Sequence, residues 1–348
     1  MVTASGTSSQ DLAGAWDALA DRLSASPFMR PAWFEAWFAA FRPSGAAVLA
    51  AYRDQQLVGV LPLFEDRGAV VSPTNYHTPH FYPIAEDDKV LQALIEAGLA
   101  AARRRLDLSF VDADEPVLRL ITRHTAEGGW RTLVRPVERS PYVELDGTWE
   151  GFEATLPSRR RRDMRRRERR LEAEGSVGFE RVEQSDRLAD LLQEGWAVEA
   201  SGWKGADGTA VATDEAARPF YRQVGEWAAA AGFLRLFFLR VDGRAIGFAF
   251  CMADARSLYV LKIGFDQDYS KFAPGVLLTR SMLAHAFDVG LETYEFLGAT
   301  DPYKLVWTDR VHERMRIRAF PETALGVAEG LGLAWRRGRP LVMRLLRR

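Results

Sequence analysis

The chain has 348 residues, of which 47% are hydrophobic and 27% are charged, the composition of an ordinary globular protein. This length exceeds the usual size of one domain, so we expect two. The net charge of −1 indicates no overall attraction to nucleic acid or to a membrane surface. The single cysteine, Cys251, excludes an intramolecular disulfide and a cysteine-based metal cluster.

The chain begins with small polar residues and contains no uninterrupted apolar run of about 18 residues. We therefore expect no secretory signal, no transmembrane helix and a cytoplasmic location.

Two similar segments predict an internal duplication. Val48–Phe64 and Leu236–Met252 each contain two apolar runs joined by a short polar turn that begins at Asp54 or Asp242. A glycine follows five residues after each aspartate, at Gly59 and Gly247. Each segment is typical of a β-hairpin. The match is short, so chance resemblance is the alternative.

The sequence around each hairpin predicts a mixed α/β unit. A helical pattern precedes each hairpin, at Trp33–Phe41 and at Pro219–Ala231. The first hairpin is followed by a predicted helix (Asp87–Arg105) and strand (Leu106–Val111). The second is followed by a strand (Ser257–Phe265), a turn, a helix to Gly290 and a strand (Glu292–Leu297).

The loop of residues 72–84 in the first half is rich in proline and aromatic residues and contains no glycine. Such a loop is a poor phosphate cradle, so we expect this half to contact the other substrate, through Tyr76 and His77. His77 and His80 have no carboxylates between them, and a metal site needs more ligands. We predict no metal.

A helix that Ser158 can cap is predicted to run through Met164 to Glu174. Its segment Arg159–Arg170 holds nine arginines and only two acidic residues. Three interpretations remain open. The helix is a solvated face whose arginine stems cover the core, or it recognises a phosphorylated acceptor, or it contacts tRNA or DNA.

The turn between the strand Ser257–Phe265 and the next helix has the features of an anion site. Pro274 suits the first helical position, and Gly275 lets a ligand approach the backbone closely. Free N–H groups at a helix start, with Lys271 beside them, suit a diphosphate. The chain is therefore expected to handle a phosphate-bearing cofactor.

Several segments together resemble a known family. They are Trp203-Lys204-Gly205, Pro219-Phe220-Tyr221, Asp266–Leu278, Phe296-Leu297-Gly298 and Tyr303-Lys304 with Trp307. Their order resembles the CelD-like acetyltransferases, double-GNAT proteins related to the FemAB aminoacyl transferases. The resemblance covers roughly Pro31 to Phe320.

This resemblance implies two tandem GNAT-like units with mixed, mostly antiparallel sheets flanked by helices. Residues 1–145 would form a unit that lacks the cofactor turn, residues 146–322 a unit with the acyl-CoA site, and residues 323–348 a basic tail. The expected donor is acetyl-CoA or another acyl-CoA. The residues expected to bind it are Ile263, Gly264, Phe265, Lys271, Phe272, Pro274, Gly275, Val276, Leu277 and Leu278.

Acyl transfer to an amine requires a base, a polarised thioester carbonyl and a proton for the leaving thiolate. Backbone N–H groups at a bulge near Ile263–Phe265 are expected to polarise the carbonyl. Glu295 and Asp301 are the candidate bases, and Tyr303 is the candidate acid. Glu295 as a strand-face residue and Asp301 as a turn former are the alternatives. The residues expected to contact substrate are Trp203, Lys204, Tyr259, Lys304, Tyr76 and His77.

The sequence thus predicts transfer of an acyl group, most simply acetyl, from acyl-CoA to an amine or hydroxyl of a sugar, nucleotide-sugar or envelope precursor. Two alternatives stay open: an aminoacyl-tRNA-dependent transferase acting on a peptidoglycan precursor, and a non-catalytic protein that binds nucleic acid through the arginine helix. The tail Ala324–Arg348 makes weak peripheral membrane contact, packs on the second domain or frays. The oligomeric state is left open.

Overall fold

Groups of strands and helices follow one another along the chain, and the predicted mixed α/β architecture is confirmed. The structure, a computed structural model, describes residues 3–7, 9–41, 45–201, 211 and 214–323. Its helices are α1 (Ser9–Arg22), α2 (Pro31–Phe41), α3 (Asp88–Ala101), α4 (Pro116–Ala126), α5 (Trp149–Thr155), α6 (Ser158–Glu172), α7 (Leu188–Ala200), α8 (Ala217–Ala230) and α9 (Pro274–Asp288), with short 3-10 helices η1 (Pro27–Met29) and η2 (Gln267–Phe272).

The strands range from 2 to 15 residues in length. They are β1 (Thr3–Thr7), β2 (Ala46–Arg53), β3 (Gln56–Asp66), β4 (Ala69–Val71), β5 (Ile84–Ala85), β6 (Arg105–Asp112), β7 (Trp130–Glu144), β8 (Val177–Val182), β9 (Leu234–Val241), β10 (Arg244–Ala253), β11 (Ser257–Phe265), β12 (Thr293–Glu295) and β13 (Val311–Pro321).

The chain divides into two compact units. Unit 1 takes its described residues from Met1–Phe38, Arg42–Glu138 and Glu313–Arg348, and unit 2 takes its residues from Ala39–Phe41 and Arg139–His312. The sequence-based division ran at residue 145 and kept residues up to 322 in the second unit. Residues from Glu313 onward belong to unit 1 because β13 pairs antiparallel with β6.

The sheet of unit 1 has the order β1-β2-β3-β4-β6-β13, and β5 pairs with β3. Its neighbouring strands are antiparallel except for β4 and β6, which are parallel. A parallel pair needs a crossover connection, and α3 lies within it.

The sheet of unit 2 has the matching order β8-β9-β10-β11-β12-β7, in which only β11 and β12 are parallel. Helix α9 lies in the crossover between those two strands. Its apolar face, with Leu277, Leu278 and Met282, belongs to the core that also contains Ile246 and Leu258. Burial of such side chains contributes about 1.5–3 kcal/mol each.

The two hairpins correspond residue by residue, with an offset of 188 residues. Strand β2 matches β9, and Asp54 matches Asp242, both with positive φ at the turn. Gly59 pairs with Ala51, and Gly247 pairs with Leu239, so the glycines occupy the same register. This agreement supports the duplication predicted from the short sequence match.

The matched glycines lie in the returning strand of each hairpin, close to packed neighbours. A Cβ at Gly59 would lie 2.5 Å from Val90 Cγ1 of α3. A Cβ at Gly247 would lie 3.3 Å from Leu239 Cβ and 3.5 Å from Leu278 Cδ2 of α9. In both units the helix that follows the hairpin therefore packs beside the glycine.

Among the described helices, none is long and apolar enough to cross a bilayer.

Candidate active site

Strand β11 spans the predicted residues, Ser257–Phe265, and loses one neighbour partway along its length. It pairs with β10 as far as Phe265. Its ladder with β12 covers only Ser257–Tyr259 and ends at the pair Tyr259–Glu295. The strand therefore continues for six residues beyond its parallel partner.

A β-bulge lies in this stretch, at Leu261. Phe250 pairs with Lys262 and Cys251 pairs with Val260, so Leu261 is the extra residue. The bulge expected near Ile263–Phe265 was therefore placed too late in the sequence. A bulge bends its strand and increases the local twist, and residues 261–265 are half-buried rather than buried.

The turn after β11 is built by local hydrogen bonds. The Asp266 carboxylate accepts from the Asp268 N–H and pairs with Arg244 at 2.5 Å. Ala273 has a left-handed φ of 53°, and Pro274 then opens α9 at the predicted position. Proline is favoured there because its missing N–H would have no partner in the helix.

The first turn of α9 satisfies most of its own N–H groups. The N–H groups of Val276 and Leu277 both donate to Ala273 O, at 2.9 and 3.3 Å. Within the described residues, the Gly275 N–H has no hydrogen-bond acceptor. A Cβ at Gly275 would lie 3.3 Å from the Phe265 ring. The turn thus presents one N–H at Gly275, fewer donors than expected.

Helix α6 packs against the same turn. Arg167 donates to Lys271 O at 3.3 Å, and Lys271 pairs with Glu174 at 3.4 Å. The Arg170 guanidinium lies 5.8 Å from the centre of the buried Phe272 ring. The exposed Lys271 ammonium and the α6 arginines therefore surround η2 with positive charge.

The arginine helix is anchored by few buried residues. Met164 and Leu171 are buried, and Arg280 of α9 pairs with Glu168 at 3.1 Å. Pro157 rather than Ser158 is the N-cap, and no side chain caps the helix. Arg159, Arg162 and Arg169 are exposed.

A row of three residues crosses the sheet where the β11–β12 ladder ends. Tyr142 of β7 pairs with Glu295, and Glu295 pairs with Tyr259. Residues paired in this way project from the same face. The preceding row, Val143, Tyr294 and Leu258, belongs to the core under α9, so Glu295 lies on the opposite face.

Glu295 is buried, with 6% of its surface exposed. Its Oε1 lies 3.2 Å from His312 Nε2. Its Oε2 has no hydrogen-bond partner among the described residues. The His312 ring stacks on Tyr142, with centroids 4.0 Å apart and an interplanar angle of 17°.

Lys304 is buried and holds its own loop together. Its Nζ donates to Leu297 O at 2.7 Å and Ala299 O at 2.8 Å, and it pairs with Asp301 at 2.9 Å. Three donors are all that an ammonium has. This arrangement stabilises the loop, and the contact of Lys304 with an anionic acceptor stays a prediction.

Tyr303 exposes 41% of its surface. Desolvation of its hydroxyl and the charge of Asp301 raise the pKa of Tyr303 above its usual range. The hydroxyl is therefore protonated at neutral pH, which an acid requires, although a raised pKa makes it a weaker one.

The remaining predicted contacts are spread over the chain. The Tyr259 hydroxyl donates to Asp254 Oδ2 at 3.1 Å. Tyr76 is exposed and His77 is buried, and both lie in unit 1. Trp203, Lys204 and the tail Ala324–Arg348 lie outside the described residues.

The position in unit 1 that matches Glu295 is Asp107, which precedes it by the same 188 residues that separate the two hairpins. Asp107 lies at the end of the β4–β6 ladder, as Glu295 lies at the end of the β11–β12 ladder. Burial alone would raise its pKa, but hydrogen bonds and charges from three arginines hold the pKa of Asp107 below its usual value. They are Arg316 at 2.6 Å, Arg318 at 3.0 Å and Arg105 at 3.1 Å.

The chain of unit 1 also fills the space beyond that ladder. The Ser72 N–H donates to Asp107 O at 3.0 Å, and the Ser109 N–H donates to Ser72 Oγ at 3.0 Å. Further along, the Phe81 N–H donates to Phe110 O at 2.8 Å. The edge of β6 is therefore occupied by the loop of residues 72–84.

The helix starts of the two units differ in charge. Asp87 caps α3, and its carboxylate accepts from the Val90 N–H at 2.9 Å. Ala273 occupies the N-cap of α9 and has no side-chain cap. The N-terminus of a helix favours a negative charge. In unit 1 the Asp87 carboxylate provides this charge, whereas in unit 2 no side chain caps α9.

His312 and Tyr142 lie in this site but are not among the residues that the sequence predicts for it. Each lies in a strand far along the chain from Glu295, and only strand pairing brings them together. Glu295 has a matching carboxylate, Asp107, at the same position of the other unit, 188 residues earlier in the sequence. No sequence signal identifies His312.

Comparison with known families locates an acyltransferase domain. Residues 158–305 match the model described as "Acetyltransferase (GNAT) domain". These residues contain α6, β11, η2, α9 and Glu295, so this part of the chain is similar to a GNAT acyltransferase domain. No curated protein matches the chain significantly.

Solved structures share the fold at low sequence identity. FemX matches with a TM-score of 0.59 at 14% identity, over 90% of this chain and 96% of its own. A conserved protein of unknown function from Bacteroides thetaiotaomicron matches with a TM-score of 0.57 at 12% identity, over 92% and 100%. The C-terminal DUF2156 domain of a lysylphosphatidylglycerol synthetase homologue from Agrobacterium fabrum matches with 0.55 at 14%, over 92% and 95%.

Proposed function

We propose that this protein transfers an acyl group, in the simplest case acetyl, from acyl-CoA to an amine of a sugar, nucleotide-sugar or envelope precursor. Hydroxyl acceptors are the secondary class. The donor would lie along the edge of β11 beyond Tyr259, with its diphosphate at the Gly275 N–H and beside Lys271.

The observation that carries this proposal is the early end of the β11–β12 ladder. The strand continues for six residues past that ladder and leads directly into η2 and α9. An extended pantetheine arm could hydrogen-bond to such a strand edge in the way that an added strand does. The GNAT domain match covers the same elements.

The test is a thermal-shift titration with acetyl-CoA, longer acyl-CoAs and free CoA. Acetyl-CoA at about 100 times its Kd stabilises the folded state by roughly 2.7 kcal/mol, which raises the Tm measurably. We expect Gly275→Glu to remove this shift, because a carboxylate would stand where the diphosphate binds. An unchanged shift in the variant would overturn the assignment of this turn.

Two controls separate charge from packing. Gly275→Ala places a Cβ 3.3 Å from Phe265 without adding charge, and it should bind acetyl-CoA more tightly than Gly275→Glu does. Gly14→Glu adds the same charge to α1, where no atom lies within 4 Å of the new Cβ. It should leave the acetyl-CoA shift intact.

An aminoacyl-tRNA donor is the second candidate. The observation in its favour is the set of exposed arginines on α6, which packs against η2. Binding of a polyanion through such residues weakens steeply with salt. Stabilisation by charged tRNA at low salt, with none from any CoA, would favour this donor.

A further inference from the structure

Glu295 combines burial with an unused acceptor. Its carboxylate lies at the last pair of the β11–β12 ladder, on the face opposite α9. Oε2 has no hydrogen-bond partner among the described residues. A buried acceptor without a donor is costly, so this oxygen is suited to an N–H donor from a ligand.

The surroundings of Glu295 differ from those of its counterpart. Asp107 is neutralised by three guanidinium groups. The salt bridge that the structure gives Glu295 is to His312, whose charge depends on protonation. The partner of Glu295 is therefore a group that can itself gain or lose a proton, whereas the partners of Asp107 carry permanent charges.

His312 connects the buried carboxylate to solvent. About a third of its side chain is exposed, at 32%, against 7% for Glu295. Its ring is fixed by the stack on Tyr142, whose backbone N–H donates to Arg310 O at 3.3 Å. Arg310 pairs in turn with Glu144. On β11, Tyr259 beside Glu295 is bonded to Asp254.

We infer that Glu295 and His312 act as one base that takes the proton from the acceptor amine. This inference rests on the proposed acyltransferase function. The amine would donate to Glu295 Oε2, while Oε1 keeps its bond to His312. Glu295 would touch the reacting group, and His312 would position the carboxylate and pass the proton to solvent.

The reaction balances as follows. The amine nitrogen forms a bond to the thioester carbonyl carbon, and the carbon–sulfur bond breaks. One proton from the nitrogen goes to the Glu295–His312 pair, whose net charge changes from −1 to 0. A second proton, from solvent or from a protein acid such as Tyr303, neutralises the thiolate, and the pair returns its own proton to solvent.

The experiment measures thiol release from acetyl-CoA with glucosamine as the probe amine and with water alone. Glu295→Gln keeps the shape of the side chain but cannot hold the proton. We expect it to lower kcat by about 100-fold or more, the usual contribution of a general base. The KM for acetyl-CoA should change by less than about threefold, because the donor is bound elsewhere.

Chemical rescue tests the role of His312. His312→Ala should lower kcat by about 10-fold or more, and added imidazole should restore a large part of the rate, because the vacated position is partly exposed. A purely structural histidine would show no such rescue. The matched control is His124→Ala, which removes another histidine that lies 3.7 Å from a glutamate, Glu96; it should keep full activity.

The outcomes separate this inference from the proposed function. Loss of the acetyl-CoA thermal shift in the wild-type protein would overturn the function itself. An intact shift, together with full kcat in Glu295→Gln or no imidazole rescue in His312→Ala, would overturn the base pair alone. Wild-type protein that binds acetyl-CoA but transfers to neither glucosamine nor water would overturn the pair as well.

Discussion

The carboxylates Asp107 and Glu295 show how one position in a duplicated fold acquires two uses. Both are buried at the end of a parallel ladder. Three arginines surround Asp107, so it serves as the centre of an ion cluster. Glu295 has a titratable partner and an unused oxygen, which is the arrangement that proton transfer needs.

Lys304 illustrates the opposite outcome, a charged residue used for structure. Its ammonium donates to the Leu297 carbonyl oxygen in the loop after β12, in place of a backbone N–H. Leu297 has a positive φ of 53°. A non-glycine residue in that conformation is uncommon and needs support from its surroundings.

We predict that Lys304→Met destabilises the protein by about 1–3 kcal/mol, because it leaves the buried Leu297 carbonyl oxygen without this donor and Asp301 without its ion-pair partner. Urea unfolding measures the change. Lys89→Met, at an exposed lysine of α3, is the control and should alter the free energy of unfolding by less than about 0.5 kcal/mol. Equal, small effects of both substitutions would contradict the structural role of Lys304.

At the scale of the element, α6 has two separable faces. Leu171 and Met164 are fully buried in the core of unit 2. Arg162 and Arg169 are exposed and form no ion pair with another described residue. The buried face belongs to the fold, while the exposed face is available for an anionic partner.

We predict that Leu171→Ala lowers the free energy of unfolding by about 2–5 kcal/mol, the cost of a cavity at a fully buried leucine. Leu133→Ala, at a leucine that is 36% exposed, should cost less than about 1 kcal/mol. Urea or thermal unfolding compares the two.

The double substitution Arg162→Gln/Arg169→Gln extends this comparison to the exposed face. It should leave stability within about 0.5 kcal/mol of wild type. Weaker binding of charged tRNA in this variant would assign the exposed face to that donor, and a large loss of stability would show that the arginines serve the core.

At the scale of the whole molecule, two units with the same strand order differ at one edge. Unit 1 covers its edge with the loop of residues 72–84 and caps α3 with Asp87. Unit 2 lets β11 run past β12 and begins α9 with Ala273 and Pro274. This difference explains why the duplicated fold has one proposed donor site, in unit 2, rather than two.

We predict that acetyl-CoA slows amide hydrogen exchange in residues 260–278 and leaves the matching segments of unit 1, residues 72–90, unchanged. Bound donor would shield the β11 edge and the Gly275 N–H, whereas the edge of unit 1 is already occupied. Mass spectrometry of peptides with and without acetyl-CoA measures the difference. Equal protection in the two units would contradict the assignment.

Local signals in the sequence determined the elements of unit 2. A run of β-favouring residues located β11 at Ser257–Phe265, and Pro274 fixed the start of α9 because proline lacks the N–H that a later position needs. Asp54 and Asp242 marked both hairpins through the turn conformation they accept. The GNAT resemblance followed from the order of these elements.

Only the tertiary structure decided which strands become neighbours. Residues 314–319 pair with β6, and residues 142–144 pair with β12. Such pairings depend on hydrogen bonds between segments distant in sequence, which no local pattern encodes. For the same reason the contact of His312 with Glu295, the bulge at Leu261 and the engagement of Lys304 with its own loop emerged only once the chain was folded.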